Sequence, residues 1–320
     1  MFHVGGGARI YRSDGCGAIV RLDDFGKVSL LTGATEIGQG SETVLAMIVA
    51  ETLGVPLECV EVVNADTSVK PWDVGTHASR TTFVAGNAAR LAAEKLRAQL
   101  LETAAVELEV PAASLDIEDG WVFVRREPKR RLAHDAVARA GHFKGGGRLL
   151  VAEAFYDPPT AMLDKDLQGN VSAAYTSAFQ AAVVDVDPET GAVEVRRIVS
   201  AHDVGRALNP LAAEGQIHGG IHMGLGYALS ERLVVEQGRI LTQTFMDYAL
   251  FKAGDMPEIV VRLIETDDAE GPFGAKGLGE SGVIPVAAAV RNAIKDAVGV
   301  GFTELPITPA RVRAALEAGR

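Results

Sequence analysis

Four segments of this sequence follow one grammar: a strand or turn, then glycine and small polar residues, then a helix start. They are Gly33-Ala-Thr-Glu-Ile-Gly-Gln-Gly-Ser41, Gly75-Thr-His-Ala-Ser-Arg-Thr-Thr82, Asp203-Val-Gly-Arg-Ala-Leu-Asn-Pro210 and Gly271-Pro-Phe-Gly-Ala-Lys-Gly-Leu-Gly-Glu-Ser-Gly282. Glycine supplies 35 of the 320 residues, well above the usual share of about 7%. Bare backbone N–H groups at helix starts suit anions. Several such loops in one chain point to a single extended polyanionic ligand, although each loop alone is compatible with an ordinary turn. The P-loop spacing Gly-x4-Gly-Lys-Ser/Thr is absent, and Gly38-Gln-Gly40 lacks the third glycine of the dinucleotide fingerprint. A nicotinamide dehydrogenase is therefore disfavoured.

Length allows about two domains. With 48% hydrophobic and 23% charged residues the chain reads as globular. The formal charge of −11 argues against a nucleic-acid partner. Cys16 and Cys59 are the only cysteines, too few for an iron–sulfur cluster or a disulfide framework. The start Met1-Phe-His-Val-Gly lacks a secretory pattern, and no apolar run approaches the roughly 18 residues of a membrane span. A cytoplasmic location is expected.

Strands are expected over 17–22 and 27–32, a helix from Glu42 to Leu53 capped by Ser41, and a strand over 60–63. A loop over 65–79 then leads into a long helix from Phe83. Residues 109–170, broken by Lys144-Gly-Gly-Gly147 and Tyr156-Asp-Pro-Pro159, read as a linker or surface loop. A hairpin follows around Asp187-Pro-Glu-Thr-Gly191, then a helix from Asn209-Pro210 that is unusually rich in glycine, and two terminal helices. The mixture gives an α+β fold in two lobes, 1–150 and 151–320.

Taken in order, the four loops resemble the molybdenum-binding subunit of the xanthine oxidase family, the molybdenum hydroxylases. The likeness runs from about Gly17 to the C-terminus and covers the second part of that large subunit. The phrasing of Thr32–Ser41, Met223-Gly-Leu-Gly226 and Gly271–Lys276 leans toward the nicotinate dehydrogenase and hydroxybenzoyl-CoA reductase branches. Met223 stands where many members have glutamine.

The resemblance implies a molybdopterin cofactor with molybdenum, in bacteria usually in its cytosine dinucleotide form, the metal being held through the pterin rather than by side chains. It implies cofactor contacts from Gly38, Gln39, Gly40 and Ser41, and from Thr76, His77, Ala78, Ser79, Arg80 and Thr81. The third and fourth loops would add Asp203, Asn209, Gln216, Lys276, Gly277, Leu278 and Gly279. Arg80 and its hydroxyl neighbours would suit a pyrophosphate.

Glu280 would be the base that takes a proton from a metal-bound hydroxyl as it attacks carbon and hydride passes to sulfur, its pKa lifted by a dry site. The substrate would be an N-heterocycle, an aromatic CoA thioester or an aldehyde, oxidised or reductively dehydroxylated. The family's first cofactor-binding region is missing, so a second molybdopterin-binding subunit is expected. Cysteine scarcity calls for a 2Fe-2S subunit, and a FAD subunit is expected beside it. A different class of reading is a non-catalytic partner that stabilises or docks a separate molybdopterin-binding chain. His218 and His222 have the spacing of two zinc ligands but lack a third.

Overall fold

The computed structural model describes residues 1–144 and 146–318. Gly145, within the run Lys144–Gly147, and the last two residues lie outside the described residues. The chain forms two compact units, each described here by itself.

The first unit comprises Val4–Tyr175 and Asp267–Gly277. After β1 (Phe2–Val4), β2 (Cys16–Leu22) and β3 (Val28–Thr32) pair antiparallel. Helix α1 (Ser41–Leu53) leads to β4 (Val60–Val63), which lies parallel to β3. A π-helical turn, Thr81–Ala85, opens α2 (Gly86–Glu107). Ala88, Ala89, Ala92 and Ala93 are fully buried along it, and small side chains let this helix pack closely on the sheet.

Of residues 109–170, expected as a linker or surface loop, the stretch after Tyr156 carries no helix or strand. The part before it builds a three-stranded meander, β5 (Leu115–Glu118), β6 (Trp121–Val124) and β7 (Glu127–Ala133), then α3 (His134–Phe143) and β8 (Val151–Tyr156). β8 pairs with β2 and completes the order β4-β3-β2-β8. That pairing carries the first unit past residue 150, so the boundary differs from the lobes expected.

The second unit takes Met1–His3, Thr176–Thr266 and the residues from Leu278 onward. β9 (Tyr175–Val186) and β10 (Val193–Gly205) form the hairpin expected around Asp187-Pro-Glu-Thr-Gly191. Helix α4 (Pro210–Leu229) follows, then the small hairpin β11 (Val235–Glu236) and β12 (Arg239–Ile240). β13 (Glu258–Glu265) runs parallel to β10. The sheet order is β1-β9-β10-β13. Helices α5 (Val286–Val298) and α6 (Pro309–Ala318) complete the unit. Its core joins Ile198 with Ile217, Ile221 and Leu225 of α4 and Val286, Val290 and Ile294 of α5.

Two glycines of α4 now have a reason. A methyl on Gly220 would strike the Gly282 backbone, and one on Gly224 would strike Val286. Close helix-to-segment packing offsets the helix propensity that glycine gives up.

The two units share one topology. An antiparallel pair is followed by a helix, a strand parallel to the second of the pair, and another helix: β2-β3-α1-β4-α2 and β9-β10-α4-β13-α5. The four glycine-bearing loops occupy equivalent places in the two repeats, after each strand of the parallel pair.

Candidate cofactor site

In open α/β sheets ligands gather outside the carboxyl ends of parallel strands. Because β3 and β4 are adjacent and parallel, the loops that leave them emerge at the same edge. Thr76 Oγ1 donates to the Thr35 carbonyl at 2.9 Å, and Lys70 Nζ donates to Gly33 O at 3.0 Å and Thr35 Oγ1 at 2.8 Å. The first two loops are thus bonded to each other. In the second unit Thr266 Oγ1 donates to Asp203 Oδ1 at 2.7 Å, and Gln216 Nε2 donates to Gly279 O at 2.8 Å. The third loop is thus tied to the end of β13, and the glutamate loop to α4.

Within the first loop, Gly40 rather than Ser41 is the N-cap of α1, in a left-handed conformation at φ 79°. Glu36 does the capping. Its Oε1 accepts from Gly38 N at 2.7 Å and Gly40 N at 2.9 Å, and its Oε2 from Ser41 Oγ at 2.8 Å and Glu42 N at 3.1 Å. Partial burial would raise this carboxyl, but the bonds from Gly40, Ser41, Glu42 and Gly38 outweigh it and hold it down at about 2. The anion-binding end of α1 therefore already holds a carboxylate of its own chain. Gln39 is also committed within its loop: Nε2 donates to Thr35 O and Ser41 Oγ, both at 3.1 Å, and Oε1 accepts from Ile37 N at 2.7 Å. A methyl built on Gly38 or Gly40 would meet nothing within 4 Å, so the main chain at the loop tip is uncovered.

Arg80 departs from its expected role. Its side chain is fully buried, and all five of its N–H groups are spent inside the protein. Nε donates to Asp14 Oδ1 at 3.1 Å, Nη1 to Asp73 Oδ2 at 2.7 Å and Gly75 O at 2.9 Å, and Nη2 to the carbonyls of Asp14 and Gly15. It is a latch that fixes the second loop, with no donor left for a pyrophosphate. Ala78 and Ser79 just before it are left-handed, at φ 50° and 51°, a strained pair that the latch holds in place. Thr81 is buried at the start of the π-helical turn. His77 Nε2, in contrast, is buried without a protein partner. Burial, with Asp73 close by, pushes the Cys16 thiol up to about 12, so it stays protonated.

Lys276 Nζ donates to Tyr175 O at 2.9 Å and lies 3.9 Å from Asp268. Gly277 N donates to Gly5 O at 2.7 Å, and a methyl on Gly277 would overlap the Ser79 carbonyl. Leu278 packs against the second unit's core. Asn209 caps α4 as expected, its side chain accepting from Ala212 N at 3.1 Å.

Glu280 Oε2 lies 3.0 Å from His3 Nε2. Its side chain is 44% exposed, so this chain by itself does not give the dry surroundings expected for the base. His3 had no signal in the sequence, since only folding brings it there. Gln180, Asp14, Asp73 and Glu36 were likewise missed. Gln180 Nε2 donates to Ser200 Oγ and to Gly282 O, both at 3.0 Å, tying the glutamate loop to the sheet. Ser281 Oγ, beside Glu280, is buried without a protein partner. His222 Nε2 meets the Phe251 carbonyl at 2.9 Å, and no cluster of three or more metal-ligating side chains occurs among the described residues. No helix among them is long and apolar enough to cross a membrane.

The family model of the molybdopterin cofactor-binding domain matches residues 1–257. The xanthine dehydrogenase molybdenum-binding subunit of Escherichia coli O157:H7 is 37% identical over 92% of this chain and 38% of its own length. The nicotine 6-hydroxylase large subunit of Paenarthrobacter nicotinovorans is 35% identical, over 92% and 36%. The crystal structure of quinoline 2-oxidoreductase from Pseudomonas putida 86 superposes with a TM-score of 0.87 at 32% identity, covering 99% of this chain and 41% of that one. The chain therefore spans about two fifths of the relatives it matches. It belongs to the molybdopterin cofactor-binding domain family, among the molybdenum-binding subunits of the xanthine oxidase family.

Proposed function

We propose that the chain is the part of a molybdenum hydroxylase that wraps the pterin and supplies its base, Glu280. The observation that carries this is the paired emergence of four loops from the carboxyl ends of two parallel strand pairs in equivalent repeats. The residues present fit the cofactor. The tip at Gly38 and Gly40 leaves main chain open to close approach, and His77 Nε2 and Ser281 Oγ are buried polar atoms awaiting partners.

When bound, the cofactor supplies two-electron redox chemistry at molybdenum. The chain's own residues position it and manage a proton. Glu280 takes the proton at its carboxylate while His3 Nε2 holds Oε2 in place. The Arg80 latch, the Glu36 cap and the bonds of the Gln39 amide to Thr35, Ser41 and Ile37 keep the first two loops in shape.

An N-heterocycle is the favoured substrate class, in keeping with the names of the nicotine and quinoline enzymes among the relatives. Aldehydes and aromatic CoA thioesters are the alternatives, in either the oxidative or the dehydroxylating direction. With two cysteines in the chain, electrons leave through a 2Fe-2S subunit, with a FAD subunit beyond it. The cytosine dinucleotide form of the cofactor, a second molybdopterin-binding subunit and a cytoplasmic setting complete the reading.

The test is to purify the complex through a tag on this chain and assay a panel of N-heterocycles and aldehydes with an artificial electron acceptor. Glu280→Gln is expected to keep molybdenum and to lose at least ~100-fold in turnover. Unchanged turnover would remove Glu280 as the base.

A further inference from the structure

In the second unit the inner face of the sheet changes character along its length. Alternation puts Ile198, Ser200 and His202 on one side of β10, the side on which Ile198 joins the core with α4 and α5. Gln180 lies opposite Ser200 in register, and Thr176 shares its side of β9. Thr176, Gln180, Ser200 and His202 are all buried. The face is thus apolar at Ile198 and polar where it backs the glutamate loop.

These polar residues form a chain with a direction. Burial pushes the His202 imidazole down to about 4, so the ring is uncharged at neutral pH. Ser200 Oγ accepts from Gln180 Nε2 at 3.0 Å and lies 2.7 Å from His202 Nε2, to which its own hydrogen goes. The second amide hydrogen of Gln180 goes to Gly282 O at 3.0 Å. A carbonyl only accepts, so the NH2 end must face Gly282 and the amide cannot turn over.

Gly282 lies in a turn that Val283 N closes by donating to Glu280 O at 3.1 Å. On the other side Gln216 Nε2 holds the Gly279 carbonyl. Glu280 therefore stands between two glutamine tethers, an exposed one from α4 and a buried one from β9. The buried tether works against stability. Gln180 Oε1, His202 Nδ1 and Thr176 Oγ1 have no protein partner, and each unmet buried polar atom is destabilising. Apolar side chains of similar volume would extend the core at Ile198 without that penalty. Polar groups kept where packing favours apolar ones mark a functional demand.

We propose, on the basis of the functional reading above, that Gln180 is a positioning residue for Glu280. Braced by Ser200 and His202, its amide holds the Gly282 carbonyl, and with it the turn that aims the carboxylate.

The test compares the complex purified through a tag on this chain with its Gln180→Met variant, which keeps the side-chain length and removes the donor. Hydrogen–deuterium exchange is followed in the peptide containing Val283. Turnover is measured on whichever N-heterocycle or aldehyde of the panel the wild type oxidises fastest. Exchange at Val283 should quicken at least ~10-fold while α5 keeps its wild-type rate. The kcat should fall ~10–100-fold, with KM and molybdenum content as in wild type. Wild-type exchange at Val283 or wild-type kcat would overturn the proposal. Molybdenum and kcat falling together would also overturn it, since that marks a merely structural residue. If Gln180→Met does not fold, Ser200→Ala removes the brace alone and should move exchange and kcat in the same directions by smaller factors; wild-type values for both count against the proposal. Full turnover in Glu280→Gln removes the functional reading and the proposal with it. An inactive Glu280→Gln beside a fully active Gln180→Met removes the proposal alone.

Discussion

His3 and Glu280, 277 positions apart in sequence, meet at 3.0 Å between Nε2 and Oε2. A carboxylate held on one oxygen keeps a fixed direction for the other. His3→Phe should therefore lower turnover about 10–100-fold, the usual cost of removing a supporting partner, while molybdenum content stays at the wild-type level. His3→Gln, which retains a donor, should recover part of the loss. Parallel loss of metal and turnover in His3→Phe would make the residue structural.

Arg80 is the only cation bonded to both Asp14 and Asp73 among the described residues. Its removal leaves two buried carboxylates uncompensated, at a cost of about 3–5 kcal/mol. Arg80→Ala should show that loss in urea unfolding of the full chain. Arg80→Lys should lose nearly as much, because an ammonium cannot make five bonds in a plane. Wild-type stability in Arg80→Ala with impaired cofactor binding would restore the ligand role.

The Glu36 cap gives a pH signature. Its folded pKa, about 2, lies below the unfolded value of about 4.3. The stability it contributes is thus complete above the unfolded value and is lost as pH falls toward 2. Glu36→Gln should cost about 1–2 kcal/mol at neutral pH. In acid denaturation curves the gap between variant and wild type should close as pH falls from about 4.3 toward 2. A gap that persists throughout would mean the charge is irrelevant.

Two glycines separate strain from ligand approach. Gly277→Ala places a methyl against the Ser79 carbonyl and should destabilise the chain by more than ~2 kcal/mol. Gly38→Ala faces open space but sits at φ 104°, so about 1–2 kcal/mol is expected. If the pterin lies on this tip, Gly38→Ala should also lose cofactor out of proportion to its stability. Unchanged molybdenum content would place the pterin elsewhere.

Periodicity and stop signals made α1 legible, since Leu45, Ile48, Val49 and Leu53 share its buried face and Gly54 ends it in a left-handed turn. The meander was not legible. β5 and β6 are four residues each, too short for alternation to register, and β7 opens Glu127-Pro-Lys-Arg-Arg on an exposed edge. The loops were visible from spacing because glycine marks where the backbone must turn. Their internal wiring was hidden. A donor-rich stretch around Arg80 looks the same whether it faces a phosphate or a buried carboxylate, and Asp14 lies 66 positions away.

Molybdenum and pterin analysis of the complex purified through this chain tests the central claim most directly. Both should be present in a constant ratio to the chain, and both should fall together in Gly38→Ala while wild-type protein from the same preparation retains them. A pure, folded complex from molybdenum-replete cells with neither metal nor pterin would contradict it.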